Sequence, residues 1–101
     1  MPITSTKHVT LESTIMKEAP NTKGVYALYS REQDLIYYGN TGTSIRECLL
    51  GHLKGNEGKC MQEAWYFNFE ETREHNTRAK ELMEEYLQSF SALPKCNAEA
   101  A

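Results

Sequence analysis

No apolar stretch in this 101-residue sequence approaches the roughly 18 consecutive residues of a membrane-spanning helix. Lys, Glu or Asn interrupts every such run within a few positions. Positive charge is also short, with 11 Lys and Arg against 14 Asp and Glu and a net charge of -3. The deficit is uneven: residues 1–60 hold 7 basic and 6 acidic side chains, residues 61–101 hold 4 and 8. A polyanion could therefore be held only by a local basic patch, because the global field repels it mildly. The first 20 residues scatter Lys7, Glu12, Lys17 and Glu18 and lack the basic start and apolar core of a secretory signal, so cytoplasmic residence is the expectation. Cysteine is scarce and odd in number. Without an export signal, Cys48, Cys60 and Cys96 are expected to be unbridged thiols. No zinc site is expected either: His52 shares a helix face with Cys48, and Cys60 and Cys96 could complete a ligand set by identity, but no close Cys pair is present.

What remains is enough for one small domain over residues 1–101, with 40% hydrophobic and 25% charged residues. Thr10 before Leu11, Ile15 and Met16, with Glu12 at the positive helix end, predicts a short helix over 10–18, stopped by Pro20 and Asn21. From Gly24 the pattern becomes Val, Tyr, Ala, Leu, Tyr, a polar turn at residues 31–34, then Leu, Ile, Tyr, Tyr and Gly39. This is a hairpin whose arms are apolar enough to be covered on both faces. Ser44 followed by Glu47 reads as a capping box opening a helix that ends near Gly55. Its residues Ile45, Cys48, Leu49, His52 and Leu53 fall on one stripe. Residues 55–59 read as a flexible loop, and Ala64 to Phe69 as a third strand. Ala79, Leu82, Met83, Tyr86, Leu87 and Phe90 then recur at helical spacing over 72–90. Pro94 bounds that helix, residues 95–97 are expected to be extended, and the tail 98–101 to fray. The expected fold is α+β, a three-stranded antiparallel sheet flanked by about three helices, with its core in residues 20–97.

Tyr26 and Tyr37 lie on the two hairpin arms, and Gly39 closes the second arm before a helix carrying Arg46. A tyrosine hydroxyl can orient water, and a guanidinium makes bidentate phosphate contacts. Strand tyrosines also serve packing, so the spacing alone leaves both roles open.

Gly24-Val25-Tyr26, then Tyr37-Tyr38-Gly39, Arg46, a glutamate-bearing helix and Asn97 together resemble the GIY-YIG nuclease superfamily, over about residues 20–97. The resemblance implies hydrolysis of DNA phosphodiesters with one divalent ion, Mg2+ or alternatively Mn2+. Tyr26 and Tyr37 would activate water, Arg46 would hold the phosphate, a helical glutamate would bind the metal and Asn97 would brace the site. Gly39 and His52 would line it. Asn40 stands where repair nucleases of that family tend to carry a lysine. The glutamate is the point of tension. The family's spacing before an apolar pair falls on Ala79 or Met83, whereas counting back from Pro94 selects Glu85. At about 100° per residue, Glu85 and Glu84 lie roughly 130° from the centre of the apolar stripe, with Glu81 farther still. The expectation is therefore an endonuclease using Glu85, less favourably Glu81 or Glu84, aided by a protein partner that supplies DNA targeting. Its rival is an inert module of the same fold that binds nucleic acid or protein.

Overall fold

A computed structural model describes residues 2–54 and 60–100. The elements are β1 (His8–Val9), α1 (Glu12–Glu18), β2 (Gly24–Tyr29), β3 (Leu35–Thr41), α2 (Ile45–Leu53), a 3-10 turn (Cys60–Glu63), β4 (Tyr66–Glu71), α3 (His75–Phe90) and α4 (Lys95–Ala100). The expected loop at 55–59 lies outside the described residues. No helix among the described residues is long and apolar enough to cross a membrane.

The α+β class is as expected, but the sheet has four strands in the order β1-β4-β2-β3, all neighbours antiparallel. Strand β2 is central and buried along its whole length, which is why its sequence is apolar without alternation. The hairpin turn closes on Gln33, whose φ of 68° is left-handed, with Ser30 receiving the Gln33 N–H on its carbonyl and the Asp34 N–H on its hydroxyl. A register shift beside Leu28 leaves Ile36 as an extra residue in β3. Ile36 and Tyr37 consequently both pack on one face, while Leu35 and Tyr38 pack on the other.

Each face of the sheet carries its own core. The first joins Ile15 and Ala19 of the α1 region to Tyr26, Leu28, Ile36, Ile45, Leu49 and Phe67. The second joins Ile3, Val25, Ala27, Tyr29 and Tyr38 to Leu82, with Ala79, Met83 and Tyr86 of α3 packed around them. Phe67 is fully buried, and truncating such a ring costs about 3–5 kcal/mol. Beside it, buried Asn68 accepts from the Tyr29 hydroxyl at 3.0 Å and donates to the carbonyls of Ile3 and Ser5. The N-terminal segment is thus tied to β4, and the packed structure begins near Ile3 instead of residue 20.

Helix α2 forms where its cap predicts, the Glu47 N–H donating to Ser44 Oγ at 3.1 Å. Four expectations are corrected. Thr10 does not cap α1; its hydroxyl and amide donate to the carbonyls of Ala64 and Trp65, leaving Leu11 as the cap residue. On α3 only Leu82 is buried, and Leu87 and Phe90 are 46% and 65% exposed, Phe90 lying with its ring 4.5 Å from that of Tyr86 on the same helix. Residues 95–97 are not extended, nor is 98–100 a frayed tail: they form α4, begun by Pro94, whose carbonyl accepts the Ala98 N–H. Finally, Cys60 and Cys96 are not free thiols but form a disulfide, with Cα atoms 5.6 Å apart, and Cys48 alone remains a thiol. An odd count does not prevent one pair from forming when the chain brings two cysteines to bonding distance.

Candidate functional site

Antiparallel register sets Tyr26 opposite Gly39 and Leu28 opposite Tyr37, so both tyrosines point to the first face. The glycine is there for space. A Cβ at position 39 would stand 2.5 Å from the Tyr26 hydroxyl and run into its ring, so the ring lies across the backbone of the neighbouring strand only because no side chain occupies position 39. Gly24 answers a different demand: a Cβ there would run into the Glu70 carbonyl of β4 and stand 2.9 Å from Ile45 Cδ1.

Helix α2 brings His52 over this pair. The Tyr26 hydroxyl is 2.9 Å from His52 Nε2, donating when that nitrogen is bare and accepting when it carries the proton. The His52 ring lies 5.6 Å from Tyr26 and 5.7 Å from Tyr37, and the two tyrosine rings are 6.2 Å apart. Tyr26 is 4% exposed, whereas Tyr37 and His52 are half-buried. The cluster therefore holds a buried phenol and an imidazole in proton-exchange contact beside a second, more accessible phenol.

The other site candidates are distributed elsewhere. Arg46 donates from Nε to the Ala19 carbonyl at 3.0 Å, and its amide donates to the Pro20 carbonyl, securing the exit of α1 against α2. Asn97, on α4, accepts the Tyr38 N–H at 2.8 Å and donates to the Tyr38 carbonyl at 3.0 Å. It braces β3 from outside the sheet. Glu81, Glu84 and Glu85 belong to α3, which packs on the second face. Glu81 accepts from Arg78 at 3.2 Å, Glu84 is exposed, and Glu85 stands near Tyr38. Burial foremost, then the charges of Tyr29 and Glu85, pushes the Tyr38 phenol up to about 12, with Arg78 opposing. The sheet thus lies between Glu85 and the tyrosine–histidine cluster.

No group of three or more His, Cys, Asp or Glu side chains able to hold a metal occurs among the described residues. The carboxylates of α3 and the tyrosines do not fit a shared magnesium centre, since they occupy opposite faces. Cys60 and Cys96, being bonded to each other, offer no thiolate to zinc. Asn40 donates to the Asn76 side chain at 3.4 Å.

A concavity of about 520 Å³ opens at the end of the sheet beyond Gly24, lined by Asn21, Thr22, Lys23, Thr43, Thr72 and Arg73 with one carboxylate, Glu71. Glu71 accepts from Thr22 at 3.0 Å. Lys23 and Arg73 are 50 residues apart in sequence, and only the antiparallel pairing of β2 with β4 unites them, so no linear motif announces the pair. No known protein family matches the chain, and no curated protein does.

Proposed function

We propose that this chain is a GIY-YIG-like module that binds a nucleic-acid strand without cutting it. The observation carrying this reading is the separation of the tyrosine–histidine cluster from every carboxylate of α3 by the thickness of the sheet. Metal-assisted phosphodiester hydrolysis needs the ion within reach of both the attacking and the leaving oxygen, and a carboxylate on the far face cannot hold it there. Arg46, the residue the resemblance assigns to the phosphate, is engaged with the end of α1.

Binding is supported by the concavity beyond Gly24, where Lys23, Arg73 and the hydroxyls of Thr43 and Thr72 are groups of the kind that contact phosphates. Two cations with an adjacent carboxylate favour weak, salt-sensitive binding over a tight complex. The test is fluorescence anisotropy with labelled single-stranded, duplex and branched DNA over a salt series. The expected result is binding at low salt whose log–log slope falls by about one for each of Lys23→Ala and Arg73→Ala. No binding at low salt, or binding indifferent to both substitutions, would overturn the nucleic-acid reading.

A protein partner is the second reading, favoured by a different surface. A cavity of about 180 Å³ is lined by Leu28, Leu49, Ala64 and the 42% exposed Leu53, and Leu11 and Trp65, next in sequence to its lining residues Thr10 and Ala64, are 60% and 49% exposed. Leu53→Asp would remove association of that kind and leave DNA binding unchanged.

A further inference from the structure

Strand β3 is an edge of the sheet, and α4 covers it in the manner of a missing strand. In an antiparallel ladder a residue turns its N–H and C=O to the same side. At Tyr38 both groups point outward and meet the Asn97 side chain, which stands in for the next strand's backbone and closes the edge to further pairing. The six residues of α4 are too few to be helical unaided. Their anchors are the buried Pro94 and Cys96, the Asn97 pair, an exposed Lys95–Glu63 ion pair at 2.9 Å, and the Cys60–Cys96 bond to the 3-10 turn. An exposed ion pair contributes little, so α4 is held by burial of Pro94 and Cys96, by the two Asn97 hydrogen bonds and by the one covalent restraint, the disulfide.

We infer that the Cys60–Cys96 disulfide is a redox-operated latch, whose reduction by a small thiol releases α4 from β3 and loosens the strand that carries Tyr37 and Gly39. Cys60 is half-buried and Cys96 only 2% exposed, so the incoming thiolate attacks the Cys60 sulfur. Cys96 leaves as a thiolate and takes a proton. A second thiol attacks the mixed disulfide, giving the Cys60 thiol and the oxidised, disulfide form of the reductant: two electrons enter the protein and two thiols are oxidised. A glutathione pool reducing enough to keep thiols free opens the latch, and oxidising surroundings keep it shut. The latch is a property of α4 and β3; its effect on ligand affinity rests on the binding function proposed above.

The experiment is hydrogen exchange with mass spectrometry on the full chain, oxidised and after treatment with dithiothreitol, alongside thiol counting. Before reduction one thiol per chain is expected, and three after it. Loss of a cross-link between residues 36 apart should speed exchange in segments 36–40 and 93–100 by about a hundredfold, while segments of β2 and β4 remain structured and the better protected. The double variant Cys60→Ser, Cys96→Ser should reproduce that pattern without reductant. Three thiols before reduction, unchanged protection of β3 and α4 after it, or loss of protection across the whole sheet would each overturn the latch. DNA anisotropy on the same two samples separates the claims. An opened latch with unaltered DNA affinity would refute its coupling to the site, and absence of DNA binding in both states would refute the binding function without touching the exchange result.

Discussion

Replacing Gly39 with alanine tests the geometry that organises the candidate site. The new methyl would stand 2.5 Å from the Tyr26 hydroxyl and closer still to the ring, so the ring must move. Moving it breaks the 2.9 Å bond to His52, worth about 1 kcal/mol, and overpacks a core in which Tyr26 is 4% exposed, costing about 1–3 kcal/mol. The expected destabilisation is about 2–4 kcal/mol, a shift of roughly 1–2 M in the urea midpoint of a domain this size. Two backgrounds separate the causes. With Tyr26→Phe the ring still blocks the methyl, and Gly39→Ala should remain nearly as costly. With Tyr26→Ala the obstacle is gone, and the same change should be neutral or stabilising by up to about 0.5–1 kcal/mol, the gain of alanine over glycine within a strand. A coupling of about 2 kcal/mol or more follows. Equal costs of Gly39→Ala in all three backgrounds would refute the argument that position 39 is glycine to admit the ring.

The other glycines extend the test. Gly24→Ala meets the backbone carbonyl of Glu70, which cannot step aside, so it should cost at least as much as Gly39→Ala and escape rescue by any single truncation, judged by urea melts. Gly51, with open space around its Cβ position inside α2, should gain about 0.5–1 kcal/mol on becoming alanine, seen as a rise in Tm. Asn68→Ala strips the Tyr29 hydroxyl, the buried Ile3 carbonyl and the part-buried Ser5 carbonyl of their partner and should cost about 2–4 kcal/mol, with faster amide exchange in residues 3–5. The Tyr38 phenol is raised to about 12 from an ordinary value near 10. Its contribution to stability is complete below pH ~10 and declines toward pH ~12 as only the unfolded chain ionises. Tyr38→Phe should flatten that decline in denaturant melts taken across this pH range.

The sequence was most legible where a local rule and the tertiary structure agree. Ser44 opens α2 because its hydroxyl accepts the free Glu47 amide of the first turn, and the apolar arms of the hairpin announce a strand buried on both sides. Gly24, Tyr26, Tyr37 and Gly39 stand out in the sequence together, and the close approaches at both glycines explain why a side chain is missing at positions 24 and 39. Less was readable where distant partners decide. The two-residue strand His8–Val9 carries no periodicity and exists through Phe67 and Tyr66. Pro94 reads equally as the end of one helix and the start of another, and α4 was hidden in that ambiguity. Bonding of Cys60 to Cys96 depends on α4 returning to the 3-10 turn, which parity and spacing cannot reveal. The rotation of Glu85 away from the apolar stripe was calculable, but the face of the sheet on which α3 lies was not, because that follows from the path of the chain after β4.

The most direct measurement is a cleavage assay of the purified chain on branched, nicked and linear DNA at low salt, with Mg2+ or Mn2+, comparing wild type with Glu85→Ala, Tyr26→Phe and Lys23→Ala. If the sheet divides the carboxylates from the tyrosines, wild type binds these substrates and leaves every phosphodiester intact, Glu85→Ala binds as wild type does, and Lys23→Ala binds more weakly. Metal-dependent cleavage by wild type, falling by orders of magnitude in both Glu85→Ala and Tyr26→Phe, would place the two residues in one catalytic centre and contradict the account.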